Sequence, residues 1–315
     1  CSLNIFCFYV CLISGDHDHT LGLDVSEVEL YLYDFQNNYN LTYKFNNSIS
    51  DFTGQYNLDV SKRLVFFVPG YKSHISKNTE ELVRKTFKTV PDIYLIIIDH
   101  SVYTSSNGGL LQSYERSVFY TYYIGTALGR VIADFQKAGF QSDNIHCIGH
   151  SLGSQMLSWA GTRYTELTQE KIGRITGLDP AGPCFSNSYI DHQIRAGVAK
   201  YVEVYHCNAG NLGTTSVLAD TDFFLNKGTS EPHCDGGLLP GKSDSYKAKC
   251  SHKKCVTYYM ETVGQRDWYL AWRCNTYKDF MKGKCAGNEV AIAGYSNPGN
   301  VTGVFYASTE TYGIF

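Results

Sequence analysis

Asn144-Ile-His-Cys-Ile-Gly-His-Ser-Leu-Gly153 decides how the rest of the chain is read. Ile145 to Ile148 has the apolar, β-branched character of a buried strand. It runs straight into Gly149-x-Ser151-x-Gly153, and the residues that follow, Ser154-Gln-Met-Leu-Ser-Trp-Ala-Gly161, have the small and apolar composition of a packed helix. A serine hydroxyl is a poor nucleophile until a base removes its proton and its oxygen stands clear of the backbone. A strained strand-to-helix turn supplies that clearance, and glycines two residues either side let the turn close. Ser151 is therefore the candidate nucleophile; a serine that merely closes a tight turn would need neither the strand before it nor the helix after it.

Outward from this turn, Leu64–Val68, Tyr94–Ile98, Arg174–Leu178 and Tyr201–Tyr205 are further short runs rich in β-branched or aromatic residues, and they read as strands. Between them lie segments of helical period, Glu80 to Val90 and Glu115 to Ala138. In the second, Ile124, Leu128, Val131, Ile132 and Phe135 share one face and Gly139 follows as a stop. Strands alternating with helices predict an α/β fold with a mostly parallel sheet covered on both faces, and ligands then gather at the carboxyl ends of the strands. After Tyr205 the chain changes to glycine-rich, cysteine-bearing loops, with a helix expected near Lys253 to Val263. No internal repeat or linker interrupts it, so residues 16–315 read as a single catalytic domain with elaborated loops.

With 43% hydrophobic residues, the 315-residue chain can bury a full core. Its net charge of −3 and the lack of any basic stripe exclude nucleic acid as an expected partner. Leu3 to Ile13 is an apolar run followed by Ser14-Gly15 and polar Asp16-His-Asp-His19, too short to span a membrane. Residues 1–15 thus read as the remainder of a secretory signal, and the protein is expected to be extracellular, without a transmembrane segment. Removing them takes Cys1, Cys7 and Cys11 and leaves eight of the 11 cysteines, an even set that favours disulfides over metal binding in an exported chain. Short separations favour Cys234 with Cys250 and Cys274 with Cys285, whereas Cys147, in mid-strand, reads as a buried thiol. Asn40-Leu-Thr, Asn46-Asn-Ser and Asn300-Val-Thr are glycosylation triplets that fit the same route.

A serine hydrolase needs a histidine base, a carboxylate that fixes its tautomer, and two N–H donors for the oxyanion. On an α/β sheet the chain order is Ser, acid, His. Asp179 follows the strand after the nucleophile strand, and Pro180 ends that strand, so Asp179 is the candidate acid. Downstream histidines are His192, His206, His233 and His252. His206 closes a strand and His252 opens the expected helix; spacing leaves both as candidates for the base.

Gly149-His-Ser-Leu-Gly153, Gly177-Leu-Asp-Pro-Ala-Gly-Pro183, Tyr201-Val-Glu-Val-Tyr-His206, Asp222-Phe-Phe224 and Cys250-Ser-His252, five motifs in fixed order, together resemble the pancreatic lipase family of animal secreted lipases and phospholipases A1. The resemblance runs from about Leu64 to the C-terminus. It implies an α/β-hydrolase fold with Ser151 as nucleophile, Asp179 as acid and His252 as base, because the family's base lies in the Cys-x-His motif; His206 then belongs to a strand-end motif. It also implies an oxyanion hole made by the amides of Leu152 and Tyr71. Two positions depart from the family pattern: Pro69 stands where a histidine precedes the glycine of the oxyanion loop, and Ser154-Gln155 stands where Ala-His is usual.

The family's calcium-binding members carry several carboxylates where Phe185 to Lys200 offers only Asp191, so no calcium site is expected; His17 and His19 read as solvated, and no cofactor is expected. Cys234 and Cys250 would enclose 15 residues at the place of the family's lid, with one small apolar patch at Leu238 and Leu239. A short lid leaves the cleft open to polar head groups, whereas a large apolar lid enlarges the greasy surface that meets oil. The resemblance therefore implies a glycerolipid esterase leaning towards phospholipase A1 over triacylglycerol lipase, acting at a lipid interface. The chain reads as lacking the family's C-terminal β-sandwich, so no colipase-type partner is expected. A wax- or galactolipid-ester hydrolase differs only in substrate. The alternative of another class is a weak or inactive lipid-binding or yolk-type carrier on the same fold, against which the presence of all three triad residue types argues.

Overall fold

Runs that are apolar at every position belong where a sheet is covered on both faces, and this chain places them there. The computed structural model describes residues 22–47, 49–105, 109–186, 190–234, 244–265 and 269–310. The leader 1–15, His17, His19 and the lid residues Leu238 and Leu239 lie outside the described residues. In chain order the elements are β1 (Glu29–Asp34), β2 (Tyr39–Lys44), α1 (Ile49–Tyr56), β3 (Arg63–Val68), α2 (Asn78–Phe87), β4 (Ile93–Asp99), α3 (Ser101–Thr104), α4 (Leu110–Lys137), β5 (Ile145–His150), α5 (Leu152–Thr168), β6 (Arg174–Leu178), β7 (Tyr201–His206), β8 (Thr221–Leu225), α6 (Asp244–Glu261), β9 (Tyr269–Arg273), α7 (Tyr277–Met281), β10 (Val290–Ala293) and β11 (Gly303–Ala307).

All the strands join one sheet in the order β10-β9-β11-β8-β7-β6-β5-β3-β4-β1-β2. From β11 through β4 every neighbour is parallel, and the margins are antiparallel, β1 with both β4 and β2, and β9 with both β11 and β10. This is the mostly parallel sheet of an α/β hydrolase. Alternation along the central strands feeds two separate cores: Leu64, Phe66 and Val68 of β3 pack with α4 and α5 on one face, while Val65 and Phe67 pack with α2 and α6 on the other. Ile124, Leu128, Val131, Ile132 and Phe135 of α4 are all buried in the first of these cores.

At the end of the sheet remote from the strand-to-helix turn, Arg174 and Glu203 form a buried ion pair at 2.5 Å. The same guanidinium donates to the carbonyls of Gly294, Tyr295 and Asn297, so it fastens the segment before β11 to β6 and β7. A buried charge is tolerated only when its hydrogen bonds are met in this way.

Two expectations are corrected. The helix expected from Lys253 begins at Asp244, so residues 244–249, read above as lid loop, are its first turns and His252 lies well inside it rather than at its start. Alanine and lysine there are good helix formers, and the acidic Asp244 suits a helix N-terminus. The region after Tyr205 also holds four strands, not loops alone. No described helix is long and apolar enough to cross a membrane.

Candidate active site

At the end of β5 the backbone is forced into a rare conformation. Ser151 has φ 57° and ψ −121°, a region costly for any side chain and found where the surrounding structure over-determines it. The Ser151 amide donates to Leu178 O at 3.1 Å, and the amides of Ser154 and Ala181 both donate to Ser151 O at 3.1 Å. Gly153 permits the turn: a Cβ there would lie 2.0 Å from Val68 O and 2.5 Å from Pro69 O, far inside contact distance. The helix α5 can approach the end of β3 only because this residue has no side chain.

Asp179, one residue beyond β6, is fully buried and every contact of its carboxylate is defined. Oδ1 accepts the amides of Cys207 at 2.9 Å and Asn208 at 2.8 Å, and Oδ2 accepts His252 Nδ1–H at 2.5 Å. Nδ1 of His252 thus carries a proton, which leaves Nε2 of the neutral ring as an acceptor. Ser151 and His252 retain 7% and 8% exposure against none for Asp179, so solvent reaches the hydroxyl and the imidazole but not the carboxylate that orients it.

His150, beside the serine, also bears on His252. Its Nε2 donates to the backbone carbonyl of His252 at 3.1 Å, and the two rings lie 4.6 Å apart. Burial holds the pKa of His150 well below the ordinary histidine value, with the nearby His252 acting in the same sense, so the His150 ring is neutral and adds no charge to the site. Glu231 is kept neutral as well. Burial raises its pKa to about 9, its carboxyl accepts from Asn226 Nδ2, and its amide donates to Ser251 Oγ at 3.0 Å.

The other downstream histidines are elsewhere. His206 pairs with Asp222 at 2.7 Å and stacks on Phe224, His192 lies against Trp159, and His233 is exposed. The structure thus joins Asp179 to His252 and to none of the three.

Leu152 is the first residue of α5, a position whose amide has no intrahelical acceptor. Tyr71 lies in the turn after β3, and its amide donates to no other group among the described residues. Gly70, directly before it, approaches so closely that a Cβ would sit 2.8 Å from Ser151 Cβ and 3.3 Å from Ser151 Oγ. Two candidate donors therefore flank the serine.

The Gln155 departure is a structural tie. Its Nε2 donates to Ala181 O at 2.8 Å and its Oε1 accepts the Ile194 amide at 2.9 Å, holding α5 to the loop whose Ala181 amide supports Ser151. Glutamine supplies the donor and the acceptor at once.

Three disulfides join described residues: Cys207–Cys255, Cys234–Cys250 and Cys274–Cys285, and Cys184 is disulfide-bonded too. The first was not read from the sequence and matters most here. It ties Cys207, whose amide holds Asp179, to Cys255, less than one turn beyond His252 on α6. Its signal was present, since one cysteine follows a strand-end histidine and the other stands three residues after the candidate base. Cys147 is a buried free thiol whose pKa burial pushes up, so it stays protonated and inert. Asn40, Asn46 and Asn300 are all exposed. Among the described residues no cluster of three or more His, Cys, Asp or Glu is arranged to hold a metal ion, and Asp191 pairs with Arg195.

A family model described as Lipase matches residues 17–300. The chain belongs to the lipase family. It is 30% identical over 240 residues to lipase member H of Xenopus tropicalis, covering 76% of this chain and 49% of that protein. It is 34% identical over 212 residues to phospholipase A1 2 of Dolichovespula maculata, covering 64% and 65%, and 30% identical over 224 residues to pancreatic lipase-related protein 2 of Bos taurus, covering 65% and 45%. The chain spans about half the length of the first and third of these relatives.

Burial makes a pH prediction for this lipase-family chain. His100, His146 and His150 are held neutral by burial, their pKa values below the ordinary 6.5. Below about pH 6.5 the unfolded chain takes up protons that the folded one refuses, so stability falls as pH drops, by up to about 4 kcal/mol per pH unit for three such groups. Glu231 acts oppositely: it stays protonated when folded but ionises when unfolded, so its contribution is lost as pH rises from about 4.5 towards 9, at about 1.4 kcal/mol per unit. Urea midpoints are expected to be highest near pH 6.5, lower at pH 8.5 and lowest at pH 5; a midpoint that rises steadily towards pH 5 would contradict this.

Proposed function

We propose that this chain is a secreted serine carboxylic-ester hydrolase acting on glycerolipids, with Ser151 as nucleophile, His252 as base and Asp179 as the acid that orients it. The observation that carries the proposal is the 2.5 Å contact between His252 Nδ1 and Asp179 Oδ2, beside a serine held in a strained turn by that same loop. His252 Nε2 takes the Ser151 proton as Oγ attacks the ester carbonyl; the amides of Leu152 and Tyr71 hold the oxyanion. Collapse of the tetrahedral intermediate breaks the bond to the glyceryl oxygen, to which His252 returns the proton. Water, deprotonated by the same histidine, then releases the fatty acid and regenerates Ser151.

Within this class we favour phospholipase A1. The Cys234–Cys250 bond, with a sequence separation of 16, closes only 15 residues, several of them already helical in α6, which leaves little length for an apolar flap. Of the three relatives, the phospholipase A1 has the highest identity, 34% against 30% for the other two. The disulfides and the exposed glycosylation triplets support secretion. The test is fatty-acid release by purified protein from phosphatidylcholine bearing different acyl chains at its two positions, beside a triacylglycerol emulsion. Release of the sn-1 chain faster than release from triacylglycerol is expected. The reverse order would assign a triacylglycerol lipase, and lipid binding without turnover would assign a carrier.

A further inference from the structure

We propose that His100 is a positioning residue for the oxyanion loop, fixing the Pro69-Gly70-Tyr71 segment through a hydrogen bond from its Nε2–H to the carbonyl of Pro69. The inference rests on the hydrolase reading above and deepens it. Pro69 brings no hydrogen-bonding side chain and no N–H, so this loop cannot fasten itself at its first residue. His100, at the end of the neighbouring strand β4, does so from outside: Nε2 lies 2.9 Å from Pro69 O and the residue is fully buried. A carbonyl accepts only, so Nε2 carries the proton; the ring's other nitrogen, Nδ1, lies 2.8 Å from Thr104 Oγ1, which fixes the ring plane. Burial lowers the pKa of His100, so the ring stays neutral and keeps this arrangement.

The Pro69 carbonyl has no room to turn away. It lies against Gly153, where a Cβ would come within 2.5 Å of it, so it is held between the first turn of α5 and the His100 ring. The two peptides that follow are held too, the first by Ser73 N donating to Gly70 O at 3.3 Å. Lys72 N donates to Thr104 O at 3.3 Å, and the Tyr71 hydroxyl meets Ser113 Oγ of α4 at 2.5 Å. The Tyr71 amide donates to no other group among the described residues, and the peptide plane before it is set by His100. An oxyanion donor works only when it is placed in advance.

The experiment compares His100→Phe, which keeps ring volume and loses the donor, with His100→Gln, whose amide nitrogen reaches the place of Nε2. Turnover of a soluble p-nitrophenyl ester is measured per active site, with inhibition by an alkylboronic acid that adds to the serine as a tetrahedral anion. For His100→Phe, kcat is expected to fall about 10- to 100-fold with KM changed less than about 2-fold, and boronate affinity to fall in parallel. His100→Gln is expected to recover most of both. Should His100→Phe fail to fold, His100→Asn, whose shorter amide stops at the place of Nδ1, carries the same expectation. Unchanged kcat and boronate affinity in the donor-less variant, or equal losses in the Gln variant that track the melting temperature, would overturn the inference while leaving Ser151-dependent turnover intact. Wild-type turnover that Ser151→Ala does not diminish would overturn the hydrolase reading, and this inference with it.

Discussion

Ser151→Ala is expected to lower kcat for any ester substrate by about 10^6-fold, because the step it removes is bond formation to the acyl carbon and no neighbouring group can replace it. The free thiol among the described residues, Cys147, is buried and protonated, so it offers no substitute nucleophile. The fold should survive. Ser151 is tied into the structure by its amide and carbonyl, which alanine retains, and the rare backbone angles at position 151 are imposed by Gly153 and by the strands on either side rather than by the hydroxyl. Urea unfolding of the variant should match the wild type within about 1 kcal/mol. A loss of activity below a hundredfold would remove Ser151 from the reaction.

Asp179→Asn should lower kcat by about 10^4-fold, through the tautomer of His252 rather than through charge alone. Two backbone N–H groups, from Cys207 and Asn208, point at Oδ1. An asparagine must therefore keep its oxygen there, since an NH2 group would confront two donors. Its NH2 then takes the place of Oδ2 and faces His252 Nδ1, which must give up its proton and accept. The proton moves to Nε2, the atom that has to receive one from Ser151, and the base is lost while the imidazole stays in place. The geometry predicts a low kcat at every pH from 5 to 9. A variant that regains wild-type turnover at high pH would show that the carboxylate acts only by raising the basicity of His252.

The strand-to-helix turn at Ser151 and the five central strands were legible because burial on both faces fills Leu64–Val68 of β3 and Ile93–Ile98 of β4 with apolar and aromatic residues alone, and leaves Glu203 as the one polar residue inside β7. The margins were less so. β1 does alternate, with Leu30 and Leu32 buried between Glu29, Tyr31 and Tyr33, and this signal could have been read. β10 is four residues long and half exposed, and its pairing with β9 is decided by the rest of the sheet. Asp179 followed from its place one residue after a strand. His252 did not, since spacing alone left His206 open, and only the fold shows that His206 is taken up by Asp222. The contacts that brace the site are invisible to pattern reading for a shared reason. His150 to the His252 carbonyl, His100 to the Pro69 carbonyl and Gln155 to Ala181 are side-chain bonds to backbone across long sequence separations, and a backbone acceptor leaves no mark on residue identity.

The central claim is that Ser151 is an activated nucleophile, and the most direct test is to treat the folded protein with a fluorophosphonate and locate the adduct by peptide mass spectrometry. Stoichiometric labelling on Ser151, lost in a His252→Ala variant that still folds, is the predicted result. No adduct on Ser151 in wild-type protein, or labelling that persists undiminished without the imidazole, would contradict it.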